Sequence, residues 1–278
     1  MADGEQVRLG AVQETLFIPL AGRARETRKK WPILRDPKAA QIVDSVPFDT
    51  SKFGKGAGGL VGVIRTAVFD VWVRDFLAEH PAGTVIELGT GLNTRFERVD
   101  NGTVHWIDLD LPDTIELRRR YFADTDRRQM VARSVLDEGW LRTVQELPEP
   151  YLFVTEGVLV YLPEDDVRQM LARLAARFPG ALIALDTYSQ RMFDRQQKMA
   201  AQRDIARWQW PCDDPRSLAR LGLNVIQSDT ITRPPKALKA QLPPWYRYLL
   251  PLADPILGQF VTITLFRADP AGWADQTS

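Results

Sequence analysis

Residues 85–96 read VIELGTGLNTRF. A short apolar run carries one carboxylate, Glu87, near its end; Gly89 and Gly91 follow with one residue between them, then Asn93. With Thr84 the run has the β-branched character of a short buried strand, TVIEL at 84–88. Glycines directly after a strand let the backbone approach a ligand and adopt dihedrals closed to other residues. Taken alone, Gly-x-Gly is equally the mark of a tight βα turn. Glu87 tilts the reading towards a site, because a carboxylate at the end of an apolar strand is costly unless something pairs with it.

A second strand, VHWIDLD at 104–110, ends in Asp108 and Asp110, which lie 19 and 21 residues after Gly89. That is about the ~20-residue spacing at which an acid accepts hydrogen bonds from a ribose. Alternation along the strand sends both acids to the same side, so they compete for the role, with Asp110 preferred. A dinucleotide would need its diphosphate on a helix N-terminus and a third glycine for close packing. Position 94 is a threonine, preceded by Asn93. Acids at 87 and 110 without the third glycine disfavour a diphosphate, and with it an NAD-dependent oxidoreductase. They suit a nucleoside with a sugar and a cationic amino-acid arm but no phosphate, and S-adenosylmethionine is such a molecule.

Outward from this stretch, strand-like and helix-like patterns alternate. PDTIELRRRYF (112–122) opens on Pro112 and Asp113, as a helix N-terminus does. YLFVTE (151–156) reads as a buried strand and ALIALD (181–186) as another. Between them, PEDDVRQMLARLAARF (163–178) puts Val167, Met170, Leu171, Leu174 and Phe178 on one stripe, with acids at its start. This alternation predicts a parallel sheet covered on both faces. NVIQS (224–228) and FVTITLF (260–266) predict an antiparallel pair at the sheet edge. The first eighty residues read as helices, the longest over 60–79 with Val61, Ile64, Val68, Val71, Trp72 and Phe76. The expectation is a single domain over 1–278: a helical cap (1–80), a donor-binding core (81–187), and an acceptor lid with terminal strands (188–268).

The composition narrows the class. Thirty-six basic residues balance thirty-six acidic ones, so nothing global points to nucleic acid or an anionic membrane. One cysteine, Cys212, excludes an intrachain disulfide framework and thiolate zinc clusters, and two histidines leave little for a metal site or a Ser-His-Asp triad, so no metal is expected. The start, MADGEQVRLG, has no apolar signal core, and no stretch approaches ~20 uncharged apolar residues; a cytoplasmic protein is the expectation.

At this point the sequence resembles the leucine carboxyl methyltransferase family, particularly its bacterial branch of tetracenomycin-type polyketide O-methyltransferases. Seven stretches carry the resemblance in order: FIPLAGRARET (17–27), LRDPKA (34–39), IRTAVFD (64–70), ELGTGLNTR (87–95), IDLDLPDTIELRRR (107–120), SVLDEGW (134–140) and TEGVLVYLPEDDV (155–167). The resemblance runs from about residue 12 to residue 187, more weakly to 266. It implies a Rossmann-like class I methyltransferase α/β fold, a seven-stranded mixed sheet with a C-terminal antiparallel hairpin plus the N-terminal helical cap. It also implies S-adenosyl-L-methionine as methyl donor.

Under that resemblance, Gly89 and Gly91 approach the methionine part and the ribose, and Asp110, in Asp110-Leu111-Pro112, takes the ribose hydroxyls. Ser134 and Val135 flank the adenine; SVLD departs from the acid-leucine pattern usual there. Glu156 faces the methionine ammonium, and Arg65 pairs with the carboxylate, joined by Arg25. Glu87, Asn93 and Asp108 complete the expected donor site. Each has a plainer structural role: Arg65 lies on the apolar stripe of its helix, and Arg25 belongs to a basic run of the kind that usually faces solvent.

For the acceptor, Tyr161, Asp186 and Tyr188 are the catalytic candidates. The stretch 190–210, with Met192, Phe193, Met199, Trp208 and Trp210, reads as an acceptor wall or as a plain packing helix. The expected activity is O-methylation of a small molecule, polyketide-like or aromatic, in secondary metabolism. The alternatives are methylation of a protein C-terminal carboxylate, and a non-catalytic S-adenosylmethionine-binding protein.

Overall fold

The computed structural model describes residues 11–46, 56–202, 206–258 and 260–269. The amino-terminal stretch 1–10 and residues 203–205 of the expected acceptor wall lie outside the described residues. Three helices, α1 (Ala11–Thr27), α2 (Pro37–Ser45) and α3 (Gly56–Glu79), precede the sheet. Then come β1 (Thr84–Leu88), α4 (Arg95–Val99), β2 (His105–Asp110), α5 (Pro112–Arg118), β3 (Arg128–Ala132) and α6 (Gly139–Gln145). The second half holds β4 (Tyr151–Thr155), α7 (Glu164–Arg177), β5 (Leu182–Tyr188), α8 (Gln190–Ala200) and β6 (Leu223–Thr230). Three short helices, α9 (Lys236–Gln241), α10 (Pro244–Leu252) and α11 (Asp254–Leu257), lead into β7 (Val261–Ala268).

The strands form one seven-stranded sheet in the order β3-β2-β1-β4-β5-β7-β6. β1 pairs in parallel with both β2 and β4, placing Glu87 beside Asp108 and Val154. β7 runs antiparallel between β5 and β6. The expected terminal hairpin is therefore present, with β6 as its outer strand. β1 and β4 are buried along their whole length, as near-continuous apolar strands covered on both faces must be. From β1 the chain winds outward to β2 and β3; from β4 it winds the other way. The crevice at the carboxyl ends of β1 and β4 is thus the topological switch point.

α3 is buried on most sides from Val63 to Leu77 and covers one sheet face with α9 and α10. α6 and α7 cover the other, burying Trp140, Val144, Met170 and Leu174 against Ile86, Phe153 and Ile183. Three acids in the first turn of α7 and Arg177 in its last suit the helix dipole. α1 and α2 pack Phe17, Leu20 and Ile42 against Leu92, Ile115 and Met130. Burial of each such side chain stabilises the docking by about 1.5–3 kcal/mol, and it sets α1 directly over the glycine turn.

The sequence pattern missed β3. RQMVA opens on a buried arginine and alternates in burial, so it does not read as an apolar run. β5 also reaches further than ALIALD, to Tyr188, so Asp186 and Tyr188 both stand within the strand, on one side of it. Among the described residues no helix is long and apolar enough to cross a membrane.

Candidate functional site

β1 ends and the chain turns through Gly89 at φ +69° and Gly91 at φ +50°, the left-handed region that favours glycine. A Cβ on Gly89 would also sit 2.4 Å from Val158, so the turn excludes a side chain on two grounds. The Gly89 amide donates to the Leu109 carbonyl (2.8 Å), and the Gly91 amide donates to Asp110 Oδ2 (2.7 Å). Arg118 of α5 clamps the other side of the turn, donating from Nη1 to the carbonyls of Gly91 (2.9 Å) and Asn93 (2.7 Å).

Asp108 and Asp110 have different fates. Asp108 is fully buried and accepts from Arg118 Nη2 (3.0 Å), Arg128 Nε (2.7 Å), the Thr90 hydroxyl (2.8 Å) and Trp106 Nε1 (3.1 Å). Burial alone would raise its pKa, but the two guanidiniums reverse this and hold it below the ordinary range. Asp108 therefore does not reach the ligand crevice; it anchors Arg118, and through it the turn. Asp110 is the acid that faces the crevice, and burial holds its pKa above the usual value.

Behind the turn lies a lattice of arginines and carboxylates. Arg95, wholly buried in α4, donates from Nε to Asp70 (2.9 Å), from Nη1 to Glu87, and from Nη2 to Glu156 (2.5 Å). Arg98 binds Asp70 (2.7 Å) and Asp36 (2.9 Å), and Arg23 of α1 binds Asp36 (2.8 Å) and the Leu92 carbonyl (3.2 Å). Glu87 also accepts from Asn93 Nδ2 (2.7 Å). Arg65 of α3 donates from Nε to Glu156 (3.0 Å) and from Nη1 to Asp186 (3.1 Å) and the Tyr188 hydroxyl, which in turn donates to Asp186 (2.8 Å). Gly157, at φ +68°, lets Arg65 pass: a Cβ there would lie 3.2 Å from the guanidinium.

The two acids nearest Arg95 separate in proton affinity. Burial pushes Glu87 up to about 7 despite Arg95. Burial also opposes ionisation of Glu156, yet Arg65 and Arg95 together bring it down to about 2. One acid has two arginines and the other one, which accounts for the direction of the difference.

These groups surround a cavity of about 440 Å³ at the switch point. Of the expected donor residues, Arg65, Glu87, Gly89, Gly91, Asn93, Asp110, Ser134, Val135 and Glu156 line it; Asp108 and Arg25 do not. Arg23 takes the place expected of Arg25. Two residues along a helix turn the side chain by about 200°, and Arg23 shares the lining stripe with Leu16 and Pro19. That three-then-four spacing was the signal that could have chosen it.

On the acceptor side, Tyr161 and Tyr188 line the cavity, whereas Asp186 is buried behind the lining, where it accepts from the Tyr188 hydroxyl (2.8 Å), Arg65 Nη1 (3.1 Å) and the Gly157 amide (2.9 Å). Among the described residues of the stretch 190–210, Ala206 and Trp208 contribute to the lining and α8 does not. Trp208 packs on Tyr188 with ring centroids 4.5 Å apart, and Gln197 of α8 holds its carbonyl (2.6 Å). Val158, Val160 and Leu162 complete an apolar wall. The buried partners Asp36, Asp70, Arg95, Arg98 and Arg118 were not foreseen, since each is one charge among many until the fold pairs it.

S-adenosylmethionine carries an ammonium, a sulfonium and one carboxylate, and the lining opposes three carboxylates (Glu87, Asp110, Glu156) to two guanidiniums (Arg23, Arg65). The signs complement such a molecule and would repel a diphosphate at the acidic end.

Comparison with known proteins agrees with the geometry. The family described as leucine carboxyl methyltransferase matches residues 17–175. The tetracenomycin polyketide synthesis O-methyltransferase TcmP of Streptomyces glaucescens is 36% identical over 220 residues, 77% of this chain and 80% of that protein. An S-adenosyl-L-methionine-dependent methyltransferase of Gibberella zeae, dpfgK, is 29% identical over 63% of this chain and 64% of its own length. Among solved structures, a DUF574 family protein from Streptomyces avermitilis superposes with a TM-score of 0.57 at 14% identity, covering 90% of this chain and 96% of its own, which speaks to the fold.

Proposed function

This chain belongs to the leucine carboxyl methyltransferase family, and we propose that it methylates an oxygen of a small, largely apolar acceptor, polyketide-like or aromatic, using S-adenosylmethionine. The observation that carries the proposal is the convergence of Gly89, Gly91, Asp110, Glu156 and Arg65 on one cavity at the switch point of the sheet. When bound, the donor supplies an activated methyl group for in-line displacement, so the protein's task is alignment and exclusion of water. Asp110 accepts the ribose hydroxyls, and Ser134 and Val135 border the adenine. Glu156 and Glu87 face the ammonium, while Arg65 and Arg23 face the carboxylate.

The acceptor lies against Tyr188, Trp208, Val158 and Val160. An acceptor carboxylate needs no base, whereas a phenol must lose its proton. Tyr188 is placed to take that proton on its oxygen while passing its own to Asp186, whose pKa is raised by burial. Tyr161, more than a third exposed at the mouth, orients the acceptor. The apolar wall favours a small molecule over a protein C-terminus.

The test is calorimetry with S-adenosylhomocysteine and NADH, followed by incubation with labelled donor and an extract of the producing cell. Binding of the homocysteine product in the micromolar range and no binding of NADH are expected. Tight NADH binding without a response to the product reverses the assignment, and label on a protein C-terminus replaces the small-molecule acceptor.

A further inference from the structure

The stretch ELGTGLNTR ends on Arg95, a residue that lines no part of the cavity and is wholly buried. It nevertheless touches both acids at the acidic end, Glu87 through Nη1 and Glu156 through Nη2, and its Nε is fixed by Asp70 at 2.9 Å. The Phe69 ring packs 5.3 Å from the guanidinium centre. Glu87 stands at the end of β1, and Glu156 directly follows the neighbouring strand β4. Two carboxylates brought together away from water repel each other, and one takes up a proton unless a cation lies between them. A guanidinium does this with fixed, planar geometry; an ammonium, being a point charge, does not span two acids and a third partner in the same way.

We propose that Arg95 is a positioning residue for the donor: from outside the cavity it holds Glu87 and Glu156 as a paired carboxylate receptor for the ammonium of the amino-acid arm. The proposal rests on the reading of this cavity as an S-adenosylmethionine site. Asp70 is the second member of the device, because it sets the guanidinium's rotation and also binds Arg98 at 2.7 Å. The nucleoside half of the ligand meets Asp110, Ser134 and Val135, none of which Arg95 contacts through any hydrogen bond or ion pair described above.

This division gives a readout that a purely structural role would not move. S-adenosylhomocysteine has the amino-acid arm, and 5′-methylthioadenosine keeps the nucleoside without it. Calorimetry with both ligands is run on the wild type, Arg95→Lys, Arg95→Met and Asp70→Asn, with thermal melts alongside. Arg95→Lys is expected to weaken S-adenosylhomocysteine by about tenfold or more while 5′-methylthioadenosine changes by less than about twofold. Asp70→Asn should give a smaller loss with the same selectivity. Glu87 holds its proton up to about 7 in the wild type, so in Arg95→Lys the rise of S-adenosylhomocysteine affinity with pH should move to higher pH than in the wild type.

Equal losses of both ligands in a folded variant, or no loss, overturn the proposal. If Arg95→Met does not fold, Arg95→Lys and Asp70→Asn decide; failure of all three to fold overturns it in favour of a folding role. A wild type that binds neither ligand is a different result, because it removes the donor site itself.

Discussion

The two ends of the cavity are built on different principles. Beneath β1, β2 and β4, carboxylates and guanidiniums interlock: Glu87, Glu156, Asp70 and Asp36 with Arg95, Arg98, Arg65 and Arg23. Beneath β5 and residues 206–210 the wall is Tyr188, Trp208, Val158 and Val160, with Asp186 set behind it. A charged receptor needs each group fixed, since a buried ion left without its partner costs several kcal/mol. An apolar wall recognises by shape and area and tolerates exchange of one hydrophobic group for another. One end is therefore suited to an invariant donor, and the other to an acceptor that can differ between relatives.

The sharpest way to break this comparison lies within the charged end, between two acids on one strand. Asp108→Ala takes the carboxylate from between Arg118 and Arg128, leaving Arg128 to Glu97, and should lower stability by about 3–5 kcal/mol in urea melts. Asp110→Ala should leave stability within about 1 kcal/mol and weaken S-adenosylhomocysteine by about ten- to a hundredfold. Similar stability losses in the two variants would mean that the charged lattice does not separate framework from site.

A second expectation concerns pH. Glu87 holds its proton more tightly folded, at about 7, than at the ordinary value of 4.5. It thus contributes stability that is fully present below the unfolded value and is lost as pH rises through about 7. Glu87→Gln removes that loss, so the stability of the wild type relative to the variant should fall by about 3 kcal/mol across the interval. A constant difference between the two proteins would place Glu87 ionised throughout.

The smallest effect on the donor belongs to the apolar end. Trp208→Ala should change S-adenosylhomocysteine binding by less than about twofold while raising the acceptor KM severalfold, about 1 kcal/mol of lost contact area. A matching loss of donor affinity would show that the two ends act as one.

Much of this was legible in the chain before its structure. The glycine turn and the acid pair on β2 sit where spacing along the chain fixes position in space, whereas Arg65 and Glu156 were placed by the family resemblance of IRTAVFD and TEGVLVYLPEDDV. What was hidden depends on distance in sequence. Arg98 meets Asp36 from 62 residues away, and Arg65 meets Asp186 from 121. No local pattern reports such pairs. β3 was obscured by its own Arg128, whose charge is met by Asp108 and Glu97 from elsewhere in the chain. Arg23 was passed over for Arg25 because a run of basic residues gives no helical phase until the stripe of Leu16 and Pro19 is read with it. Trp208, by contrast, was read within the acceptor wall at 190–210, and it lines the cavity.

α1 brings Leu16, Pro19 and Arg23 to the cavity although it precedes the first strand by more than fifty residues. The seven strands therefore do not own the whole binding site. A chimera that joins this sheet to the leading helices of a relative would inherit part of its grip on the amino-acid arm from the donor of those helices. Shuffling the chain at the boundary before β1 would exchange a roof as well as a terminus.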